Sequence, residues 1–329
     1  MAADIKIFVS HRIDQSSELI PNPLYIPVRC GAVYDTGSQS PIAGDDTGDN
    51  ISRRRMSFCE FTVQYWAWKN CRADYYGLCH YRRYLSFAQS RFAQDKFGMI
   101  PAYFLDHKSE ERFGLLDVVR MRDEIASCDA ILSEPSDVTI QPTPKGRVTT
   151  VRALWEAHDG LFLTVEAIDE MFRQIDRLSP EYSQSARAYF DSSYHRGYNC
   201  FIMRRELFDR LCAFQFPILF EMERWLVQQP YRDSLPRIPG YVGEILYGIF
   251  TYHISTCENW NIELRQLVLF RYPQHIYSRG ERCQLYVQDW LVRHLRTLAD
   301  VLLPLGSKRR MAVKKRWNDY KRLHHKERN

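Results

Sequence analysis

The sequence predicts an α/β domain built on a mainly parallel sheet. Short apolar runs rich in β-branched and aromatic residues, such as residues 5–10 and 75–79, alternate with longer segments of helical periodicity. Apolar residues make up 45% of the 329 residues and aromatic residues 14%, which is ample material for a buried core. The alternation continues over most of the chain without an internal repeat.

The individual elements follow from local patterns. The predicted strands cover residues 5–10, 25–28, 75–79, 130–132 and 199–203, and the predicted helices cover residues 57–70, 115–125, 151–175, 205–228 and 243–254. The first helix is expected to begin at a capping box, because Ser57 and Glu60 form the S-x-x-E pattern. Residues 135–152 are rich in Pro and Thr and are expected to form a loop.

A composition break near Arg282 predicts a large domain over residues 1–282 and a tail over residues 283–329. The tail begins with an amphipathic stripe of leucines at helical spacing, which ends before Pro304. The stripe consists of Leu291, Leu295, Leu298 and Leu302.

The charge of the chain is concentrated in the tail. Residues 307–329 hold ten Lys or Arg against two acidic residues, so the rest of the chain is slightly acidic although the whole has a formal net charge of +5. This distribution argues against a body that binds nucleic acid. Cations interleaved with Trp317, Tyr320 and Leu323 suit the surface of an anionic membrane. A solvated disordered tail and an RNA-binding tail are the alternatives.

The nine cysteines are scattered without a CxxC pair, as in proteins of reducing compartments. The N-terminus enters a strand at once, and no window holds the roughly 18 consecutive apolar residues of a membrane span. We therefore expect a cytoplasmic protein.

The stretch GDDTGDNIS, residues 44–52, is a candidate ligand loop. It fails the register of an EF-hand, and the chain lacks the GxxxxGK[ST] pattern of a phosphate loop. A Gly-bearing loop followed by Arg53, Arg54 and Arg55 could bind a diphosphate. Alternatively, its polar residues serve only as turn and cap residues.

A second candidate is HYRRY, which directly follows a predicted strand and begins with His80, Tyr81, Arg82 and Arg83. Ligands of open α/β sheets bind at the carboxyl ends of strands, so these residues could hold a sugar–nucleotide diphosphate. The alternative is a solvated basic edge.

Glu244 is the leading candidate for a general base, because it stands among apolar and small residues in GYVGEILYG. A buried ion pair with an arginine is its alternative role. His158 and Asp159 could contact a hydroxyl and act as a base, and Asn199 could bind a sugar hydroxyl. Exposed helix positions and strand-end capping are the corresponding alternatives.

Several stretches, the first three of them typical of the family's N-terminal run, together resemble a bacterial capsule and O-antigen galactofuranosyltransferase family, formerly labelled only as a domain of unknown function. They are GDDTGDNIS at 44–52, CEFTVQYWAWKN at 59–70, ADYYGLCHYRRYLSF at 73–87, AHDGL at 157–161, SPEY at 179–182, YNCFIMRRELFDRL at 198–211 and GYVGEIL at 240–246. The resemblance covers about residues 4–254. It implies a GT-A-like nucleotide-sugar fold and an inverting transfer from UDP-galactofuranose to a lipid-linked glycan.

The resemblance also implies roles for individual residues. Catalysis is expected of Glu244, with Asp159 as second choice, and sugar or acceptor binding of His158 and Asn199. Donor binding is expected of His11, Asp46, Thr47, Asp49, Asn50, His80, Tyr81, Arg82 and Arg83. HYRR stands where GT-A enzymes often carry an Asp-x-Asp metal motif, so a divalent cation, Mn or Mg, is possible at Asp45, Asp46 and Asp49 but no metal ligand is assigned.

We therefore expect a cytoplasmic glycosyltransferase that is peripheral at the inner face of the cell membrane. Its partners are expected to be a UDP-sugar, a lipid-linked glycan and, through residues 307–329, an anionic membrane surface, but no nucleic acid. The alternative is a non-catalytic glycan-assembly scaffold docked at the membrane by its basic tail.

Overall fold

The computed structural model describes residues 2–35, 41–274 and 278–302, together with residues 309–310, 312–313 and 316. The chain divides into two compact units. The main unit comprises Met1–Gln141 and Thr149–His275, and the second unit comprises Pro142–Val148 and Ile276–Asn329. The domain boundary after residue 282 stays a prediction.

Twelve strands are found in the described residues: β1 Ile5–Arg12, β2 Tyr25–Cys30, β3 Ala43–Gly44, β4 Tyr75–His80, β5 Arg83–Leu85, β6 Met99–Phe104, β7 Ala130–Ser133, β8 Ser136–Asp137, β9 Tyr194–His195, β10 Phe201–Arg204, β11 Ile262–Arg265 and β12 Leu267–Tyr272. The α-helices of the same residues are α1 Arg55–Phe58, α2 Phe61–Asn70, α3 His107–Arg112, α4 Val118–Ala126, α5 Val151–Glu156, α6 Val165–Leu178, α7 Ser183–Asp191, α8 Arg205–Val227, α9 Ile238–Thr256 and α10 Arg279–Leu302.

Seven strands of the large sheet follow the order β11-β7-β10-β4-β1-β2-β3. β1 pairs in parallel with β2 and β4, β2 with β3, and β7 with β11. β5, β6 and β12 extend the sheet beside β4. The predicted α/β fold with a mainly parallel sheet is therefore confirmed.

One strand of this series runs the other way. β10 lies between β4 and β7 and is antiparallel to both. The first residue of β10 therefore lies at the edge of the sheet where β4 and β7 end. The segment that leads into β10 lies at the same edge, beside the carboxyl ends of the parallel strands. This edge is where open α/β sheets bind their ligands.

A buried chain of amides connects three helices of the main unit. The Nε2 atom of Gln64 on α2 donates to the Oε1 atom of Gln215 on α8, at 2.7 Å. The Nε2 atom of Gln215 in turn donates to the carbonyl oxygen of Gly243 on α9, at 2.9 Å. Both glutamines are fully buried, so these bonds fix the position of α9 relative to α2.

Two of the predicted helices are each divided. The predicted helix over 57–70 is interrupted at Cys59, whose φ of 53° is incompatible with an α-helix. Ser57 consequently lies inside α1, and the side chain of Glu60 makes no cap hydrogen bond, so the predicted capping box is wrong. The predicted helix over 151–175 is divided into α5 and α6, because the Thr164 hydroxyl caps a new helix by accepting from the Ala167 N–H.

The second unit contains α10. Three leucines of the predicted stripe, Leu291, Leu295 and Leu302, are exposed on it. The side chain of Leu298 and most of residues 307–329 lie outside the described residues, so membrane binding by this segment stays a prediction. Within the described ranges, we find no helix that combines the length and the apolar character needed to cross a bilayer.

Gly248 allows α9 to lie against the segment that leads into β10. A Cβ atom at this position would be 2.2 Å from the phenol oxygen of Tyr189 and 2.9 Å from the carbonyl oxygen of Arg196. The Tyr189 side chain is buried, and its hydroxyl bonds both His195 Nδ1, at 2.7 Å, and the backbone N–H of Arg196. It therefore has little freedom to move aside.

We expect Gly248→Ala to lower the free energy of unfolding by about 1–3 kcal/mol, because the added methyl group must displace a buried side chain or backbone. The matched control is Gly280→Ala on α10, where nothing lies within 4 Å of the added Cβ atom. The control should leave stability unchanged or raise it by at most about 1 kcal/mol. Guanidinium unfolding of the full chain measures both, and equal effects would contradict the packing argument.

Candidate active site

Polar side chains of neighbouring strands meet at the carboxyl edge of the sheet. His11 lies near the end of β1, His80 ends β4, and Asn199 lies just before β10. The turn between α1 and α2 reaches the same edge, because the Nδ2 atom of Asn199 donates to the Oε1 atom of Glu60, at 3.4 Å. The edge therefore collects groups that are far apart in the sequence.

Glu60 and Glu244 form a pair of like charges at this edge. Burial raises the pKa of Glu244 above the ordinary glutamate value, and the charge of Glu60 raises it further. Arg83 and Arg237 lie near Glu244 and act in the opposite direction. Both glutamates are half-buried residues. A half-buried carboxyl group with a raised pKa suits proton transfer near neutral pH.

The close approach of α9 to α2 depends on Gly243. A Cβ atom there would lie 2.4 Å from the ring of Phe61, which is fully buried. The missing side chain lets α9 contact the first residue of α2, and it thereby brings Glu244 within electrostatic range of Glu60.

The segment before β10 has an unusual backbone. Tyr198 and Asn199 have φ angles of 70° and 41°, a region that non-glycine residues seldom adopt. The Tyr198 ring lies under the guanidinium of Arg83, 4.7 Å from ring centroid to Cζ. Asn199 is buried, and its Oδ1 atom has no hydrogen-bond partner in the described residues. A strained, buried segment with a free acceptor is typical of a ligand site.

The HYRR residues supply two cations that form no ion pair in the described chain. The buried Nε atoms of Arg82 and Arg83 and the Nδ1 atom of His80 lack hydrogen-bond partners among the described residues. No ion pair of the described chain involves Arg82 or Arg83, whereas the nearby Arg12 pairs with Asp14. Burial and the charge of Arg83 lower the pKa of Arg82. Two adjacent guanidinium groups that form no ion pair can bind an anion.

The histidines of this edge are neutral. Burial lowers the pKa of His80 well below its ordinary value, and the charges of Arg83 and Arg82 lower it further. Burial also lowers the pKa of His11 to about 4, and the Nδ1 atom of His11 lies 2.7 Å from the Ser17 hydroxyl. Tyr81 is buried between them and donates its hydroxyl to Gln15, at 3.3 Å. The positive charge at this edge therefore belongs to the arginines.

The loop 44–52 contains one buried aspartate. The Asp45 carboxylate accepts the backbone N–H groups of Gly31, at 2.9 Å, and Ala32, at 3.0 Å. It also accepts the hydroxyls of Ser52 and Thr62. These four bonds connect the end of β2 to the start of α2, so Asp45 fixes the loop.

The other loop residues that we expected to bind the donor lie nearer the surface. Asp46 is exposed. Thr47 accepts the indole N–H of Trp66, at 2.9 Å, and Asp49 accepts the hydroxyl of Tyr65, at 3.2 Å. Asn50 donates to the Gly48 carbonyl, at 3.0 Å. Hydrogen bonds to α2 and within the loop therefore order these residues, and their role in donor binding stays a prediction.

His158 and Asp159 follow α5. His158 Nδ1 lies 2.8 Å from the carbonyl oxygen of Leu154, and its ring stacks on Phe162 with centroids 5.0 Å apart. The Phe162 ring is 5.1 Å from that of Tyr241, three residues before Glu244 on α9. Asp159 is exposed and accepts the backbone N–H of Val165 at the start of α6. The structure thus connects His158, but not Asp159, to the neighbourhood of Glu244.

The residues present do not fit a divalent cation. The place expected for a metal motif, after β4, holds guanidinium groups, which repel cations. Asp45 is satisfied by four protein donors, and no group of three His, Cys, Asp or Glu side chains in the described residues could hold a metal. We therefore derive no step through a metal ion.

Sequence reasoning missed three contributors to this site, Glu60, Arg237 and Tyr198. Glu60 was assigned to a helix cap because its spacing from Ser57 matches that pattern. Arg237, at the start of α9, donates to the Cys59 sulfur, at 3.1 Å, and lies near Glu244. For Tyr198 the one signal in the sequence is its position next to the predicted site residue Asn199. The sequence gives no indication of the positive φ of Tyr198.

Two comparisons with known proteins gave a match, one to a family model and one to a solved structure. The family model DUF4422, described as a domain of unknown function, matches residues 6–255. The apo structure of the bifunctional glycosyltransferase WbbM is similar to the chain, with a TM-score of 0.72 and 26% sequence identity. The alignment covers 84% of this chain and 47% of the WbbM chain, so this chain spans about half the length of that protein. No curated protein sequence matches the chain.

The role of Asp45 is tested against its neighbour Asp46. We expect Asp45→Ala to lower the free energy of unfolding by about 2–5 kcal/mol, because buried donors lose their acceptor. Asp46→Ala, which removes the same charge from an exposed position, should stay within about 0.5 kcal/mol of the native value. Thermal unfolding of both variants measures the difference. Similar melting temperatures would show that Asp45 does not hold the loop.

Proposed function

The chain belongs to the DUF4422 family, and on that premise we propose that it is a glycosyltransferase acting on a nucleotide-sugar donor and a glycan acceptor. The observation that carries the proposal is the combination at one sheet edge of two arginines with unsatisfied Nε donors and a carboxyl group with a raised pKa. The likeness to the bifunctional glycosyltransferase WbbM supports the same class of reaction. A transfer of this kind needs one group for the leaving diphosphate and another for the acceptor proton.

In the proposed reaction Glu244 is the general base. Its carboxylate removes the proton from an acceptor hydroxyl as the hydroxyl oxygen forms a bond to the anomeric carbon. The bond between that carbon and the diphosphate oxygen breaks, and the nucleoside diphosphate leaves with the electron pair. Attack opposite the leaving group inverts the anomeric configuration.

Arg82 and Arg83 bind the diphosphate in this proposal. Their buried Nε atoms have no hydrogen-bond partner in the described residues, so the phosphate oxygens would supply acceptors and counter-charge. His80, which is neutral, offers a hydrogen bond rather than a charge. The negative charge that develops on the leaving group is then balanced by the arginines.

The finer features of the substrates rest on the sequence resemblance. We propose UDP-galactofuranose as the donor, held in addition by His11, Tyr81 and the loop residues Asp46, Thr47, Asp49 and Asn50. A lipid-linked glycan is the proposed acceptor, with contacts to His158 and Asn199. Residues 307–329 would hold the enzyme at the anionic inner face of the cell membrane.

Donor binding is tested by calorimetric titration with UDP, with and without manganese. We expect saturable binding to the wild type in both conditions and a loss of at least about tenfold in affinity in Arg82→Ala/Arg83→Ala, since each charge-assisted bond is worth about 1.5–3 kcal/mol. The control Arg309→Ala/Arg310→Ala makes the same charge change in the tail and should bind like the wild type. A wild type that binds no nucleoside diphosphate would favour the non-catalytic scaffold, and binding only with manganese would contradict the role of the arginines.

The base is tested by the pH dependence of transfer. The rate should fall as the pH drops through the raised pKa of Glu244, because the protonated carboxyl cannot accept the acceptor proton. Glu60→Gln removes the repelling charge and lowers that pKa, so the acidic limb of the profile should move to lower pH.

Glu244→Gln should reduce kcat by about 10²–10⁴-fold while UDP affinity is kept. An acidic limb that does not move in Glu60→Gln would rule out the coupling of the two carboxyl groups. Full activity of Glu244→Gln would remove Glu244 as the base.

A further inference from the structure

Three aromatic rings extend from the α5–α6 loop to α9, and we call His158, Phe162 and Tyr241 the aromatic row. The rings of His158 and Phe162 are nearly parallel, at 19°, with centroids 5.0 Å apart. Those of Phe162 and Tyr241 are inclined by 32°, with centroids 5.1 Å apart. The row therefore forms a continuous aromatic surface rather than three separate contacts.

The row is accessible to a ligand. The Phe162 side chain is 39% exposed and the adjacent Leu161 is 50% exposed, although both are apolar. Tyr241 and His158 are partly exposed. Phe162 therefore exposes apolar ring surface between His158 and Tyr241, against which an apolar group of a ligand can pack.

Local hydrogen bonds hold the loop that carries the row. The Gly160 N–H donates to the Leu163 carbonyl, at 2.9 Å, and the Leu161 N–H donates to the His158 carbonyl, at 2.9 Å. Asp159 caps α6 through the Val165 N–H, at 3.1 Å. These bonds order the loop before any ligand arrives, which reduces the entropy that binding would cost.

The row ends beside the carboxylate pair. Tyr241 and Glu244 are three residues apart on α9, so they share a face of the helix. Burial raises the pKa of the Tyr241 phenol, Arg237 opposes this, and the charges of Glu244 and Glu60 raise it again. The Arg237 guanidinium lies over the Tyr241 ring, 5.4 Å from its centroid. The aromatic surface thus has polar, hydrogen-bonding groups at the end nearest Glu244.

We propose that the aromatic row binds a sugar ring of the glycan acceptor, with Phe162 as its principal contact. A pyranose ring has an apolar face of C–H groups, which packs on an aromatic ring, and a rim of hydroxyls, which needs polar partners. The row and the polar groups beside Tyr241 supply both. This inference rests on the proposed function, because it takes Glu244 as the base toward which the acceptor hydroxyl is directed.

The order of the residues from Arg83 to Phe162 indicates that the aromatic row binds the acceptor rather than the donor. Arg83 lies within electrostatic range of Glu244, Glu244 within range of Tyr241, and Tyr241 against Phe162. A diphosphate is attracted to the Arg82 and Arg83 end of this series, while the Phe162 end offers apolar surface. The base lies between the two ends, as transfer to an acceptor hydroxyl requires.

The test uses saturation-transfer NMR of the full chain with octyl glycosides of galactose, glucose, mannose and N-acetylglucosamine, in the presence of UDP. In the wild type we expect the ring protons of one apolar sugar face to receive the strongest saturation from at least one glycoside. Phe162→Ala should weaken binding of that glycoside roughly tenfold, and Phe162→Tyr should restore it. The control Leu178→Ala removes a side chain of similar exposure, 37%, at the other end of α6 and should have no effect.

A parallel UDP titration separates the possible failures. Unchanged UDP affinity in Phe162→Ala shows that the variant is folded and that the donor site is intact. If the wild type binds UDP but no glycoside, or if Phe162→Ala binds the glycoside as well as the wild type, this inference is overturned while the proposed function stands. If the wild type binds no UDP at all, the proposed function itself fails.

Discussion

The site depends on the hydrogen bonds of the Asp45 carboxylate, which connect the end of strand β2 to the start of helix α2. It accepts two backbone N–H groups after β2 and two hydroxyls, one of them on α2. Because the start of α2 is fixed relative to β2, Glu60 is held opposite Asn199. Asp45, the fully buried acid of the loop, thus has a structural role, whereas the adjacent Asp46 is exposed to solvent.

The electrostatics of the site follow from which groups have partners. Arg12 forms an ion pair with Asp14, whereas Arg82 and Arg83 form none in the described residues, and their buried Nε atoms lack hydrogen-bond partners. His80 and His11 are neutral because burial opposes their protonation. The pKa of Glu244 is higher than that of an ordinary glutamate because the residue is half-buried beside the charge of Glu60. Positive charge and a proton-accepting carboxyl group are therefore provided side by side.

Much of the fold could be read from the sequence, since strands β1, β4, β7 and β10 are short apolar runs and α8 and α9 have clear helical patterns. The division of the first predicted helix could not be read from the sequence. The helical spacing of its apolar residues continues across Cys59, although the backbone there has a positive φ that ends α1. In the site, the positions of HYRR and Asn199 at strand ends predict ligand contacts, and the apolar surroundings of Glu244 predict a general base. Glu60 and Arg237 could not be found, since their roles arise only when α9 packs against the α1–α2 turn.

The antiparallel insertion of β10 makes the candidate site depend on contacts between distant parts of the chain. Asn199 and Glu60 are 139 residues apart in the sequence, and their contact joins the segment before β10 to the turn before α2. Closing such a contact costs more chain entropy than closing a local one. The helices and the β1–β2 pairing involve residues that are close in the sequence, whereas the arrangement of charges at the sheet edge does not.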